Sequence, residues 1–251
     1  FNIIPLVEFD RQLADLLWRE GRPLHIIACT VDAVFAIIDA VIRHQDLKQG
    51  DTPAIRSKAV TDAASCRPEA RELLKTQLLL KKPKRVLEIG TAVGYSSIYM
   101  TGFLSEDAQI TTLELSEERT AEARTNIKQL GKEMQIQVIC GDAAETLKEL
   151  PDDTYEFAFV DAAKAQYIYY LPDVLRVLKP GGVIVSDNIL QEGEVLESHF
   201  LVEKRNRTIH DRMREYLYVL THDDRLETAI LPVGDGMAIS VVRELCKESV
   251  L

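Results

Sequence analysis

The sequence contains no CxxC pair, no GxGxxG turn, no GxSxG elbow and no long apolar run, and each absence removes a class of protein. Four cysteines, Cys29, Cys66, Cys140 and Cys246, lie far apart, which argues against a zinc ribbon or a disulfide framework and leaves them as buried or incidental thiols. His199, His210 and His222 lack zinc-motif spacing and have no cysteine or serine nucleophile to serve, so they read as surface or structural residues. No stretch approaches the roughly 18 continuous apolar residues of a membrane span. The start lacks a basic region and a small-residue cleavage site, so a soluble cytoplasmic protein is expected. Positive charge is in short supply: 30 Lys and Arg face 40 Asp and Glu, and the net charge of -10 disfavours generic adhesion to DNA or acidic membrane. One stretch departs from this balance. Residues 204–214, "KRNRTIHDRMR", carry five Lys or Arg against one Asp, as either a solvated helix face with ion-pair partners or an RNA contact.

What is present is a chain of 251 residues, 46% apolar, able to bury a substantial core. Two regimes meet near residue 84. Before it, "EFDRQLADLLWRE" and "DAVFAIIDAVIRH" space apolar residues three and four apart, as helices separated by the Gly21-Arg22-Pro23 break. Residues 45–66 are polar and read as a loop or linker, and "RPEARELLKTQLLLKK" as a further helix with Leu73, Leu74, Leu78 and Leu79 on one side. Residues 1–83 are therefore expected to form a helical lid or dimerisation layer. After residue 84 the pattern becomes strand, turn, helix in repetition: "RVLEI", "QITTLEL", "QIQVI", "YEFAFV" and "VIVSDN" alternate with helical runs. Ser116 is placed to cap one helix and Gly131 to end it. Continuous apolar strands alternating with helices mean a parallel sheet covered on both faces. "LETAILP" and "GMAISVV" are too close for a crossover helix and form an antiparallel pair at the sheet edge. The fold expected is a Rossmann-like α/β sheet of seven strands, mostly parallel, with an antiparallel last strand.

In such a sheet ligands collect beyond the carboxyl ends of the strands. After the first strand comes "EIGTAVGYS", with Glu88, Gly90, Thr91 and Gly94, a GxxxG whose glycines permit a tight turn close to a ligand. Glu114 ends the second strand, where a carboxylate can accept both hydroxyls of a ribose. Gly141, Asp142 and Ala143 follow the third, with Asp142 placed to accept from an adenine amino group. These three strand ends read together as a nucleoside pocket. Asp161 ends the fourth strand, and Asp187 with Asn188 ends the fifth. Two carboxylates and an amide oxygen suit magnesium, calcium or manganese and suit zinc poorly. The alternative is that Asp187 caps the next segment and Asp161 makes a loop turn, neutralised by Lys164. Lys164, three residues after Asp161, could take a hydroxyl proton or stabilise the resulting oxyanion. Tyr167, Tyr169 and Tyr170 either line a pocket or pack beneath the lid.

"VLEIGTAVGYSS", "TLEL", "GDA", "FVDAAK", "LKPGGVIVSDN" and "VGDGMAIS" stand in an order that resembles the cation-dependent class I O-methyltransferases, the group of catechol and caffeoyl-CoA enzymes, over residues 67–244. The resemblance implies a methyltransferase domain over 84–251 that binds S-adenosylmethionine at Glu88, Gly90, Thr91, Gly94, Ser96, Glu114, Asp142, Ala143 and Asp161. It also implies Mg2+ or another divalent cation on Asp161, Asp187 and Asn188, with Lys164 as the catalytic residue beside the substrate hydroxyl, and a homodimer. Gly234-Asp235-Gly236 matches the family's turn before the last strand and is architectural. "VDAAKAQY", "DNIL", "RNRTIHDRMREY" and "ILPVGDGMAIS" resemble most the bacterial branch that converts 5-hydroxyuridine in the tRNA anticodon loop to 5-methoxyuridine. On that resemblance tRNA is the expected partner, with Arg205, Arg207, Arg212 and Arg214 against its phosphates. Two other readings stand beside it: a small-molecule catechol or hydroxycinnamoyl-CoA methyltransferase, and a non-catalytic nucleotide-binding module.

Overall fold

In the computed structural model, residues 68–244 are described. They fall within one unit, Arg56–Leu251. Of the helical layer expected over residues 1–83, residues 1–67 lie outside the described residues. No helix among the described residues is long and apolar enough to cross a membrane.

Helix α1 (Pro68–Lys81) opens on Glu69 and closes on Lys81, each matching the sign of the helix dipole at its end. Leu74 and Leu78, one turn apart, are buried, whereas Leu79 is 47% exposed. The expected stripe therefore excludes Leu79, which at 3.6 residues per turn stands roughly 140° round from Leu74. Strand β1 (Arg85–Ile89) follows, then α2 (Tyr95–Thr101), β2 (Gln109–Glu114), α3 (Glu117–Gln129), β3 (Ile136–Cys140), α4 (Ala143–Glu149) and β4 (Tyr155–Val160). A 3-10 turn (Lys164–Gln166) leads into α5 (Tyr167–Val177), which runs directly into β5 (Leu178–Ser186). A second 3-10 segment (Gln191–Leu196), α6 (Arg207–His222), β6 (Leu226–Leu231) and β7 (Met237–Val242) complete the order. Ser116 caps α3 as expected, its hydroxyl accepting from the Arg119 amide at 3.3 Å.

The seven strands lie in the order β3-β2-β1-β4-β5-β7-β6. Strands β1 to β5 pair in parallel, and β7 is antiparallel to both β5 and β6. The expected hairpin is present, with β7 inserted beside β5 and β6 left at the edge. Where β5 begins, its pairing with β4 jumps from Tyr155↔Leu178 to Phe157↔Val183, so the Pro180-Gly181-Gly182 stretch is taken up as an irregularity within the strand.

Strand alternation sorts the core into two layers. Val86, Phe157, Phe159, Val183 and Val185 face α1, α2 and α3 through Leu74, Leu78, Met100 and Ile127. Leu87, Ile89, Ala158, Val160 and Ile184 face α4, α5 and α6 through Leu147, Leu171, Val174, Met213 and Tyr216. With both faces covered, only the strand ends remain for chemistry. The chain leaves β1 toward β2 and β3 on one side and returns through β4 to β5 on the other, so the β1/β4 boundary is the topological switch point.

The β6–β7 turn reaches back to that end of the sheet. The Ile189 amide donates to the Gly236 carbonyl at 3.0 Å and the Leu190 amide to the Asp235 carbonyl at 2.9 Å, so this turn holds the loop that carries Asn188. Gly236 has φ +83, and a Cβ there would stand 2.3 Å from Leu190 Cγ. Gly236→Ala is expected to destabilise the domain by roughly 1–3 kcal/mol, read as a lower urea midpoint with an unchanged denaturant slope.

Candidate active site

A cavity of about 710 Å³ opens at the switch point. Gly90 and Thr91 from the first loop, Ser96 from the start of α2, Glu114 from β2, Asp142 and Ala143 after β3, and Asp161 after β4 all line it. Tyr170, Ala162 and Ala163 close one side. Gly90 is forced by its neighbour: at φ +106, a Cβ there would fall 1.9 Å from the Asp161 carbonyl oxygen. The Asp161 amide also donates to the Ile89 carbonyl at 3.0 Å, so the first loop and the end of β4 are one assembly.

Glu114 is buried at the end of β2, and each of its oxygens accepts a backbone amide: Ala92 at 2.9 Å and Ser116 at 3.0 Å. Two fixed donors leave the outer lone pairs of the carboxylate for ligand hydroxyls. Asp142 caps α4, its Oδ1 accepting from the Ala144 amide at 2.9 Å, while the side chain remains on the cavity wall. The sequence offered Ser116 only as a helix cap and gave no role to Arg119; both also line the cavity. Their position in the first turn of the helix after β2 is the signal that would have found them.

Glu88 and Gly94 do not line the cavity. Alternation along β1 sends the Glu88 side chain to the face of Val86, beneath α2, where it is fully buried. Its Oε2 accepts from Thr112 at 2.6 Å and from the Ser97 hydroxyl. Since Thr112 donates to Glu88, Thr91 must donate in turn to Thr112 across 2.6 Å. The register that sets Thr112 beside Glu88 made this network a matter of strand pairing rather than of spacing. Gly94 initiates α2 and packs against Ala123.

The second constellation meets at Lys164. Its ammonium lies 2.8 Å from the Tyr167 hydroxyl, 2.9 Å from Asp161 Oδ1, 3.2 Å from Asn188 Oδ1 and 3.3 Å from the Asp187 carbonyl. An ammonium has three N–H groups, so four oxygens around it exceed its donors. Asp161, Asp187 and Asn188 thus direct hard oxygen atoms to a region where a positive charge already sits, and the donor set fits a divalent cation of the magnesium or calcium kind. Asn188 reaches it from a left-handed backbone, φ 53, which asparagine tolerates better than most residues. Asp187 is buried and accepts from the Asn188 amide at 2.7 Å, so it does cap the next residue, as the alternative reading supposed.

The three tyrosines separate. Tyr167 is buried and structural: its hydroxyl reaches the carbonyls of Val160 at 3.0 Å and Asp187 at 3.2 Å. Burial, with Asp161 nearby, pushes its pKa well above the ordinary value. Tyr170 lines the cavity, and Tyr169 lies at the surface beneath the Arg212 guanidinium, 4.9 Å from the ring centroid.

The four arginines expected to face RNA do not present free guanidinium groups in a row. Arg205 pairs with Glu203 at 2.7 Å. Arg207 donates to the Val202 carbonyl at 3.1 Å, Arg212 to Ala165 at 3.3 Å and Arg214 to Glu197 at 3.2 Å. They brace α6 and the loop before it.

Burial raises the Glu88 carboxyl from 4.5 to about 7, against the lowering effect of the Ser96, Ser97 and Thr112 hydroxyls. Between these values the folded protein holds more protons than the unfolded chain, so stability falls as pH rises through this window. The shift corresponds to roughly 3 kcal/mol at most. Glu88→Gln is expected to stabilise the protein relative to the parent at pH 8 and much less at pH 5, as measured by urea unfolding at both pH values. A difference independent of pH would exclude this role.

Comparison with known proteins fixes the family. The profile described as O-methyltransferase matches residues 45–244. A catechol O-methyltransferase of Niastella koreensis is 31% identical over 195 residues, 74% of this chain and 86% of the relative. A caffeoyl-CoA O-methyltransferase of Stellaria longipes is 34% identical over 178 residues, 68% of this chain and 73% of the relative. The crystal structure of an O-methyltransferase from Bacillus cereus in complex with SAH superposes with a TM-score of 0.71 at 25% identity, covering 81% of this chain and 97% of that one. These relatives overturn the expectation of a tRNA 5-hydroxyuridine enzyme with tRNA as its partner: they act, by their names, on catechol and caffeoyl-CoA, and the four arginines each already hold a contact within the protein. The chain belongs to the O-methyltransferase family, as a class I S-adenosylmethionine-dependent enzyme of the catechol and caffeoyl-CoA type.

Proposed function

We propose that the protein methylates a small phenol bearing adjacent hydroxyls, the group that the names catechol and caffeoyl share, with the help of a divalent cation. The observation that carries this reading is the convergence of Asp161, Asn188 and the Asp187 carbonyl on Lys164, at the edge of the cavity that Asp161 itself lines. The named relatives support the substrate class.

When bound, S-adenosylmethionine supplies the electrophilic methyl group, and a divalent cation supplies Lewis acidity that lowers the pKa of a hydroxyl. Asp161, Asp187 and Asn188 are the residues that would hold the cation, and Glu114, Asp142 and the Gly90 loop those that would hold the methyl donor. Glu114 is oriented for this by the Ala92 and Ser116 amides, which stop its carboxylate from rotating. Lys164 is the catalytic residue: it takes the hydroxyl proton as the neutral amine, or as the ammonium offsets the charge left on the oxygen. Tyr167 keeps the amine in place through its 2.8 Å contact. Ala162 and Ala163 leave room beside it, and Tyr170 gives the cavity an apolar wall. These residues are asked mainly for position, because an anionic oxygen and a cationic donor both become neutral as the methyl group moves.

Purified protein supplied with S-adenosylmethionine, Mg2+ and catechol or caffeoyl-CoA should give a singly methylated product by mass spectrometry. Lys164→Ala is expected to lower kcat roughly 10²- to 10⁴-fold while leaving affinity for the methyl donor within a few-fold. Chelation should remove turnover and Mg2+ restore it. Full activity of the alanine variant, or of the chelated enzyme, would exclude the assignment.

A further inference from the structure

A second cluster lies away from the cavity. His199, in the loop before α6, and His210 and Asp211, in the first turns of α6, bring one ligand atom each to within 4.8 Å of one another. None of the three lines the cavity at the switch point. Their sequence spacing matches no zinc motif, which is why reading the sequence left the histidines as surface or structural groups; the loop folds His199 back onto the helix.

Two contacts show how this cluster is arranged. His210 is buried, and its Nε2 lies 3.2 Å from the Glu197 carbonyl, to which it donates. Its other ring nitrogen, Nδ1, meets Asp211 Oδ1 at 3.2 Å. His199 Nδ1 approaches the same oxygen at 2.8 Å. Two ring nitrogens therefore converge on one carboxylate oxygen, where either ring protons or a metal ion can bridge them.

We infer that this position binds a zinc-type divalent transition metal through His199 Nδ1, His210 Nδ1 and the Asp211 carboxylate. Two imidazoles and one carboxylate are a zinc set, unlike the all-oxygen set at Lys164. With metal–ligand bonds of about 2.0–2.1 Å, neighbouring ligands of a tetrahedral ion stand roughly 3.3 Å apart. The observed 2.8 and 3.2 Å to Asp211 need to open by a few tenths of an ångström, and the two imidazoles, within 4.8 Å of each other, need to turn onto the same ion. The bond from His210 Nε2 to a backbone carbonyl is the outer contact that commonly orients a metal-binding histidine. The side chains of His199 and Asp211 are 42% and 54% exposed, which leaves a fourth position open to water. Binding releases to solvent any proton held among the three groups. The site is structural: it clips the loop to α6, whose next residue, Arg212, donates to Ala165 in the turn that carries Lys164.

The test is equilibrium dialysis of the full chain against Zn2+ with Mg2+ in large excess, followed by Co2+ substitution and visible spectroscopy. One Zn2+ per chain is expected, with intense d–d bands for Co2+ in a tetrahedral nitrogen and oxygen field. His199→Ala and Asp211→Asn alter exposed side chains and should each weaken Zn2+ at least about tenfold, while Asp161→Asn should leave Zn2+ uptake unchanged. No uptake under Mg2+ excess would overturn the inference, as would uptake that survives both His199→Ala and Asp211→Asn. Loss of uptake in Asp161→Asn alone would also overturn it, by assigning the zinc to the oxygen site.

Discussion

Gly90 is the most tightly confined of the described glycines: the loop after β1 meets the end of β4 there, and the Asp161 carbonyl fills the space a side chain at position 90 would need. That contact decides the rest of the site. It sets the turn that walls the cavity directly against the residue whose carboxylate meets Lys164, so the two halves of the chemistry share a backbone junction. A parallel sheet provides such a junction only where its strand order reverses, which is why the functional groups gather at β1 and β4 and not along the sheet generally.

Behind Lys164 the support is a chain of buried hydroxyls. Tyr167 packs edge-on against Tyr216, with ring centroids 5.4 Å apart, and the Tyr216 hydroxyl shares a 2.6 Å hydrogen bond with Ser186 at the end of β5. Burial pushes the Tyr216 phenol up to about 12, so it stays neutral and serves as a fixed strut. Lys164 thus sits on a platform drawn from β5, α5 and α6. The ammonium has little freedom to follow solvent.

Much of this was legible in the sequence, because strand ends announce themselves. Apolar runs stopping at Gly90, Glu114, Asp142, Asp161 and Asp187 gave both the sheet and most of the cavity lining. The burial of Glu88 was not legible, because distance along the chain says nothing about which face of a strand a residue takes; the alternation that buries Val86 carries Glu88 beneath α2 with it. Leu79 was misplaced for a similar reason of angle. The arginines of α6 failed differently: composition counts charges but does not record that backbone carbonyls at Val202, Ala165 and Glu197 each engage one of their donors. The meeting of His199 with His210 needed the loop's path, which no periodicity encodes.

The position of β7 has a consequence for how the site comes into being. It is the last strand among the described residues, yet it lies between β5 and β6, and the turn leading into it holds the loop of Asn188. A ribosome therefore delivers Asp161, Lys164 and Asp187 long before the segment that secures their neighbour. From Asp187 until the β6–β7 turn is made, the growing chain holds the acidic groups without the frame that aims them, and the oxygen cluster is completed only when that hairpin closes.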